Sequence, residues 1–220
     1  MRCLRIGTVA LVVVVAAGAF ASGARSGYGS QCDENEPLDV LVMVEDNFAF
    51  FDPKRFERFL VGLARRLNLG NDYSNSHIAL MRYGFGGTCE LLIPFGSVRS
   101  PYDLRRSLRR LKGRFLPQGG KIESAMECAL DREGFAHFSN RGIVADVLML
   151  ATQQSVLGDP RDIHDIRYEL EDSEIQVFAV GESWSMGLEE VTGHIQRVVK
   201  LGGRLSKTLN DVCDSVAFFV

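Results

Sequence analysis

The densest group of residues able to do chemistry is a basic run. Arg105, Arg106, Arg109, Arg110, Lys112 and Arg114 put six cations within ten residues. Leu104, Leu108 and Leu111 recur among them at helical spacing, so a helix here turns its leucines inward and gathers its cations outside. Guanidinium forks match sulfate and carboxylate geometry, which makes this face a candidate site for an anionic glycan or an acidic protein patch. A solvated helix face neutralised by nearby acids is the plainer alternative. Other chemistry is sparse. His77, His137, His164 and His194 are scattered without HxH or HExxH spacing, no GxSxG elbow occurs, and no cysteine carries a local catalytic signature. The glycine-rich stretch Gly84-Phe85-Gly86-Gly87-Thr88 is not followed by the helix that a phosphate-binding loop requires. Catalysis is therefore not expected.

The cysteines point to an oxidising compartment. Arg2 and Arg5 precede a charge-free run, Ile6–Ala21, that ends in Ala19-Phe20-Ala21. This is the layout of a secretory signal peptide spanning residues 1–21. The run is shorter than the roughly 20 apolar residues that cross a bilayer, and no later segment is a better candidate, so no membrane span is expected. Beyond Cys3, the cysteines are Cys32, Cys89, Cys128 and Cys213. An even number in a secreted chain predicts two disulfides, with three pairings open, and the absence of CxxC argues against zinc. A Cys32–Cys213 link would close almost the whole domain, worth about 4–5 kcal/mol in the chain-entropy model. That favours Cys32–Cys213 with Cys89–Cys128; the alternative leaves Cys128 as a buried free thiol.

The 220 residues include 25 basic and 28 acidic ones, and 46% are hydrophobic. An acidic balance, deeper once Arg2 and Arg5 are removed, excludes nucleic-acid binding through bulk charge. The apolar content excludes a disordered or collagen-like chain.

The elements that must position these residues follow from periodicity. Residues 22–37 read as a flexible leader, rich in Gly and Ser and then acidic. Leu38–Val44 is almost continuously apolar, as a strand buried on both faces should be. Asp52-Pro53 starts a helix that carries Phe56, Phe59, Leu60, Leu63 and Leu67. His77–Tyr83 and Cys89–Phe95 form a hairpin. Helices follow from Pro101 and across Ile122–Leu130, then a strand at Ile143–Leu150. A helix from Asp159-Pro160 to about Leu170, a strand at Ile175–Val180, an edge strand within His194–Leu201 and a helix at Leu205–Val216 complete the chain. Strands alternating with helices predict an α/β fold, a doubly wound, mostly parallel sheet with one antiparallel edge strand and helices on both faces.

From Leu38 to Val216 the pattern resembles the von Willebrand factor type A domain. LDVLVMVEDNFAF stands where that family has a strand ending in an acid-glycine-serine-x-serine turn. HIALMRYG and CELLIPFG match its hairpin, Gln118-Gly119-Gly120 its glycine loop, VLMLATQQS its threonine-aspartate-glycine strand end, and IQVFAVGE its fifth strand. The resemblance implies a metal-ion-dependent adhesion site at the carboxyl end of the sheet, where carboxylates and hydroxyls hold magnesium. Carried over residue by residue, the leading aspartate becomes Glu45, the two serines become Asn47 and Ala49, the threonine falls near Ser124, and the last aspartate becomes Thr152. Magnesium needs carboxylates near 2.0–2.1 Å and sheds water reluctantly. The set that remains is expected to be a degenerate site that binds no metal or other cofactor.

The resemblance implies a secreted, extracellular binding module that recognises collagen or another matrix protein. Contacts are expected around Glu45–Phe50, Gly119–Ser124 and Thr152–Leu157; Phe48, Phe50 and Phe51 either pack inward or make recognition apolar, and Trp184 is either a contact residue or part of a core or lid. A secreted α/β enzyme using the same crevice and a purely structural matrix component are the alternatives.

Overall fold

The computed structural model describes residues 32, 37–46, 53–84, 87, 89–111, 119–130, 145–152, 158–181, 187–201 and 204–219. The expected signal peptide, Asn47, Phe48, Ala49, Phe50, Phe51, Lys112, Arg114, His137, residues 153–157 and Trp184 lie outside them.

In chain order the elements are β1 (Leu38–Glu45), α1 (Pro53–Ala64), β2 (His77–Tyr83), β3 (Cys89–Ile93), α2 (Pro101–Arg110) and α3 (Ile122–Leu130). These are followed by β4 (Ala145–Ala151), α4 (Pro160–Asp172), β5 (Ile175–Gly181), α5 (Leu188–Thr192), a 3-10 turn (Ile195–Arg197), β6 (Val198–Lys200) and α6 (Leu205–Phe219). The sheet runs β3-β2-β1-β4-β5-β6. Every pairing is parallel except β2 with β3, so the antiparallel strand is at one edge.

The apolar run of β1 is explained by its place. It pairs with β2 on one side and β4 on the other, and all eight of its residues are buried. Alternate side chains enter two cores. Val40, Val42 and Val44 pack with α1, α2 and α6 on one face, through residues such as Phe59, Leu104 and Val212. Leu41 and Met43 pack with α3, α4 and α5 on the other, through residues such as Met126, Ile163 and Val191.

Capping fixes where two of the helices begin. Ser100 Oγ accepts from the Asp103 N–H at 3.2 Å, with Pro101 at the first helical position of α2. Asp159 Oδ1 accepts from the Arg161 N–H at 2.9 Å, with Pro160 opening α4. Both expected disulfides form, Cys32–Cys213 tying the leader to α6 and Cys89–Cys128 tying β3 to α3. Cys128 is thus not a free thiol. Among the described residues no helix is long and apolar enough to cross a membrane.

Several elements differ from the sequence reading: α1 ends at Ala64, so Leu67, expected on it, lies beyond the helix although it is still buried. β3 stops at Ile93, because Pro94 has no N–H to donate to the ladder and its carbonyl instead accepts the Ser97 N–H at 3.3 Å in a turn. The expected edge strand at His194–Leu201 is half replaced by a 3-10 turn over Ile195–Arg197, and only Val198–Lys200 pairs with β5. Gly193, at φ 71°, and the buried Arg197 break its alternation; burial lowers the Arg197 pKa, and the Glu171 carboxylate opposes that shift. The short helix α5 was not anticipated at all. Its five residues offer too little periodicity to read.

Candidate functional site

The strand order reverses between β1 and β4, and the ends of these two strands define the crevice where ligands of open α/β sheets bind. β1 ends on Glu45, which pairs in register with Tyr83, and β4 leads directly into Thr152. Glu45 is fully buried. Its Oε1 accepts the backbone N–H of Gly120 at 3.3 Å, and its Oε2 accepts the Thr152 hydroxyl at 3.3 Å. One side chain therefore joins β1, the loop before α3 and the end of β4. Thr152 is fixed in turn by its own N–H, which donates to the Val180 carbonyl at 3.0 Å.

Gly120 is required here by space. A β-carbon at this position would stand 2.5 Å from Cδ2 of Tyr83, a fully buried ring, and 3.4 Å from the Tyr83 carbonyl oxygen. Only a glycine lets the loop come close enough to present its N–H to Glu45. Asp46 Oδ1 lies 3.6 Å from Arg82 Nη1 of β2, and Arg82 also pairs with Glu90 on β3. Ser124 lies in the first turns of α3, where a β-carbon at Gly87 would stand 3.6 Å from its Oγ.

The structure thus brings together Glu45 and Thr152 of the sequence-derived set, adds Gly120 and Tyr83, and places Ser124 against the β2–β3 connection. The side chains that remain do not fit magnesium. Both oxygens of Glu45 already accept hydrogen bonds, Asp46 lies beside Arg82, Thr152 supplies only a neutral hydroxyl, and the side chain of alanine at position 49 has no donor atom. A hard cation with a tightly held water shell gains too little from such a set. Among the described residues, no three His, Cys, Asp or Glu side chains converge as ligands.

The three histidines among the described residues are dispersed. His77 Nδ1 is 3.3 Å from Asp39 Oδ1 at the amino ends of β2 and β1, far along the strands from Glu45. His164 lies exposed on α4, and His194 precedes the 3-10 turn.

Arg105, Arg106, Arg109 and Arg110 of the basic run are on α2, with Leu104 buried and Arg109 and Arg110 in the last turn, where cations favour the helix dipole. Glu57 of α1 answers two of the arginines, at 3.4 Å from Arg105 Nε and 3.7 Å from Arg109 Nε. Arg106 and Arg110 project from the exposed side. Sequence reasoning missed that Arg58 of α1, and Arg65 and Arg66 in the turn that follows it, stand beside Arg105. Helical spacing had marked the polar side of α1, but the packing of α1 on α2 is a tertiary fact.

No protein-family model matches the sequence, and no curated protein sequence matches it. Comparison of the fold with solved structures does find similar folds. Proximal thread matrix protein 1 from the mussel byssus superposes with a TM-score of 0.66 at 16% identity, covering 86% of this chain and 49% of that one. A structure of the same mussel protein with a zinc-occupied MIDAS motif gives 0.63 at 15% identity, covering 87% and 49%. The manganese-loaded Plasmodium vivax TRAP protein gives 0.59 at 13% identity, covering 81% and 72%. The SpRpn10 VWA domain gives 0.54 at 8% identity, covering 82% and 95%. The chain spans about half the length of the mussel protein. Strand order, the antiparallel edge and these superpositions agree that the chain has the fold of von Willebrand factor type A domains.

Proposed function

We propose that the protein is a secreted, extracellular binding module that recognises a matrix or cell-surface protein through the carboxyl edge of its sheet, without a bridging metal ion and without catalysis. The observation that carries this reading is the engagement of Glu45. The carboxylate that opens the site is turned to Gly120 and Thr152, inside the protein, where it is poorly placed to hold a cation that would reach a partner's acid. Recognition then rests on shape and on side chains in the loops around the crevice. Two disulfides support an extracellular setting. The mussel thread matrix protein, solved with a zinc-occupied MIDAS motif, and the manganese-loaded TRAP protein share the fold.

The test is solid-phase binding of the disulfide-bonded protein to immobilised collagen and other matrix proteins, each with magnesium or manganese and with EDTA. Binding that EDTA leaves unchanged is the expected result. A strict requirement for the cation would overturn the metal-free reading, and turnover of a hydrolase or oxidoreductase substrate would overturn the non-catalytic one.

A further inference from the structure

The helical layers on the two faces of the sheet carry opposite charge. Helices α1, α2 and α6, which share one face, together hold eight basic and four acidic residues, seven of the basic ones on α1 and α2. On the other face, α3, α4 and α5 hold nine acidic and two basic residues. The protein is mildly acidic overall, so the arginine layer is a local inversion of its sign.

The cationic layer is also grooved. Between α1 and α6, beside Arg105 of α2, lies a depression of about 390 Å³. Val61, Gly62, Leu205 and Leu209 line it with apolar surface, and Arg58, Arg65, Arg66 and Arg105 surround that floor. Gly62 sets its form: a β-carbon there would meet Leu209 Cδ1 at 2.7 Å, so the two helices touch at this point.

The acidic layer has the matching relief. Tyr168 on α4 is 52% exposed. Asp165 and Asp172, three residues before it and four after, share its side of the helix, and Glu169 adjoins it; all three are exposed. The Tyr168 ring is steadied by the Arg167 guanidinium, 5.2 Å from its centroid, and by the edge-on His164 ring at 4.4 Å. An aromatic knob among carboxylates complements an apolar groove among guanidinium groups in both shape and charge.

We propose that these surfaces are the two halves of one interface between copies of this chain. Tyr168 of one copy sits over the Val61–Leu209 floor of the next, and Asp165, Glu169 and Asp172 face Arg58, Arg65 and Arg105. Groove and knob lie on opposite faces of the sheet, so a molecule cannot satisfy its own. The contact is heterologous: each added copy offers a new groove and a new knob, and association continues into rings or filaments. The rim pairs give salt sensitivity and orientation, while the buried aromatic carries most of the affinity.

Sedimentation velocity of the full chain, expressed through a secretory route so that both disulfides form, tests this across the micromolar to millimolar range at low and high salt. Average mass should rise with concentration at low salt and fall back when salt is added. Tyr168→Ala alone, and Arg58→Glu with Arg65→Glu, should each weaken association about tenfold or more, with circular dichroism confirming that both variants are folded. An equimolar mixture of the two should form a discrete heterodimer, because one intact knob meets one intact groove and neither product can extend. A monomer at every concentration, association untouched by Tyr168→Ala, or a mixture that stays monomeric would overturn the proposal. Heparin retention that depends on Arg58 and Arg65 in a protein that never self-associates would do so too, by making a sulfated glycan the occupant.

Discussion

The carboxylate of Glu45 takes the hydroxyl of Thr152 across 3.3 Å, at the gap where the strand order of the sheet reverses. A glutamate is one methylene longer than the aspartate that the resemblance places there, and the added reach lets its two oxygens meet Thr152 and the Gly120 amide together. The side chain has become a tether between three segments of the fold.

Stability should therefore depend on hydrogen bonding at position 45 rather than on charge. Glu45→Ala removes the acceptor for two buried donors and leaves space behind, at a cost of about 3–5 kcal/mol. Glu45→Gln can still accept from Gly120 with its carbonyl oxygen while its amide donates to Thr152, and should cost no more than about 1 kcal/mol. Urea titration of both variants checks this; equal losses would show that the tether contributes little.

Restoring an acid at position 152 should recreate a need for a cation. Thr152→Asp sets a second carboxylate against Glu45 in a buried site and should destabilise the metal-free protein by about 1–3 kcal/mol. Manganese or magnesium should then raise the melting temperature of this variant and leave that of the parent protein unchanged. A parent protein that is itself stabilised by either ion would contradict the metal-free site.

Gly120→Ala tests the close approach of loop and strand. Its methyl would collide with the Tyr83 ring, at 2.5 Å, in a packed interior, and such overpacking costs about 1–3 kcal/mol. Because the partner is a side chain, Tyr83→Leu should recover part of the loss in the double variant, a coupling that a double-mutant cycle measures directly.

The two disulfides should differ modestly in worth. Cys32–Cys213 spans 181 residues and Cys89–Cys128 spans 39, which the chain-entropy relation converts to about 5 and about 4 kcal/mol. Denaturant midpoints of the paired Cys→Ser variants should rank in that order. Loss of the first should also free the start of the chain, where the Cys32 N–H donates to the Arg66 carbonyl at 3.0 Å, and speed hydrogen exchange there.

Much of the architecture was legible because it is written in local periods. A buried central strand must be apolar on both faces, so LDVLVMV could be little else, and an Asp-Pro or Ser-Pro pair before a helical repeat marks where the helix starts. The alternation of such segments limits the topology to a doubly wound sheet. Short or half-exposed elements escaped: α5 has too few residues to show a period, and Pro94 ended β3 through the loss of a single donor. At the site, the sequence determined which donors exist at positions 45, 47, 49 and 152, and hence that charge is lacking there. Only the tertiary structure decided that Glu45 would turn inward to Gly120 and Thr152, which lie 75 and 107 residues away, because that choice depends on a close approach of loop to strand. The charged layers follow the same division. Each helix shows its own polar side in sequence, but which helices share a face of the sheet, and so whether arginines and carboxylates mix or separate, is set by the order in which the strands pair.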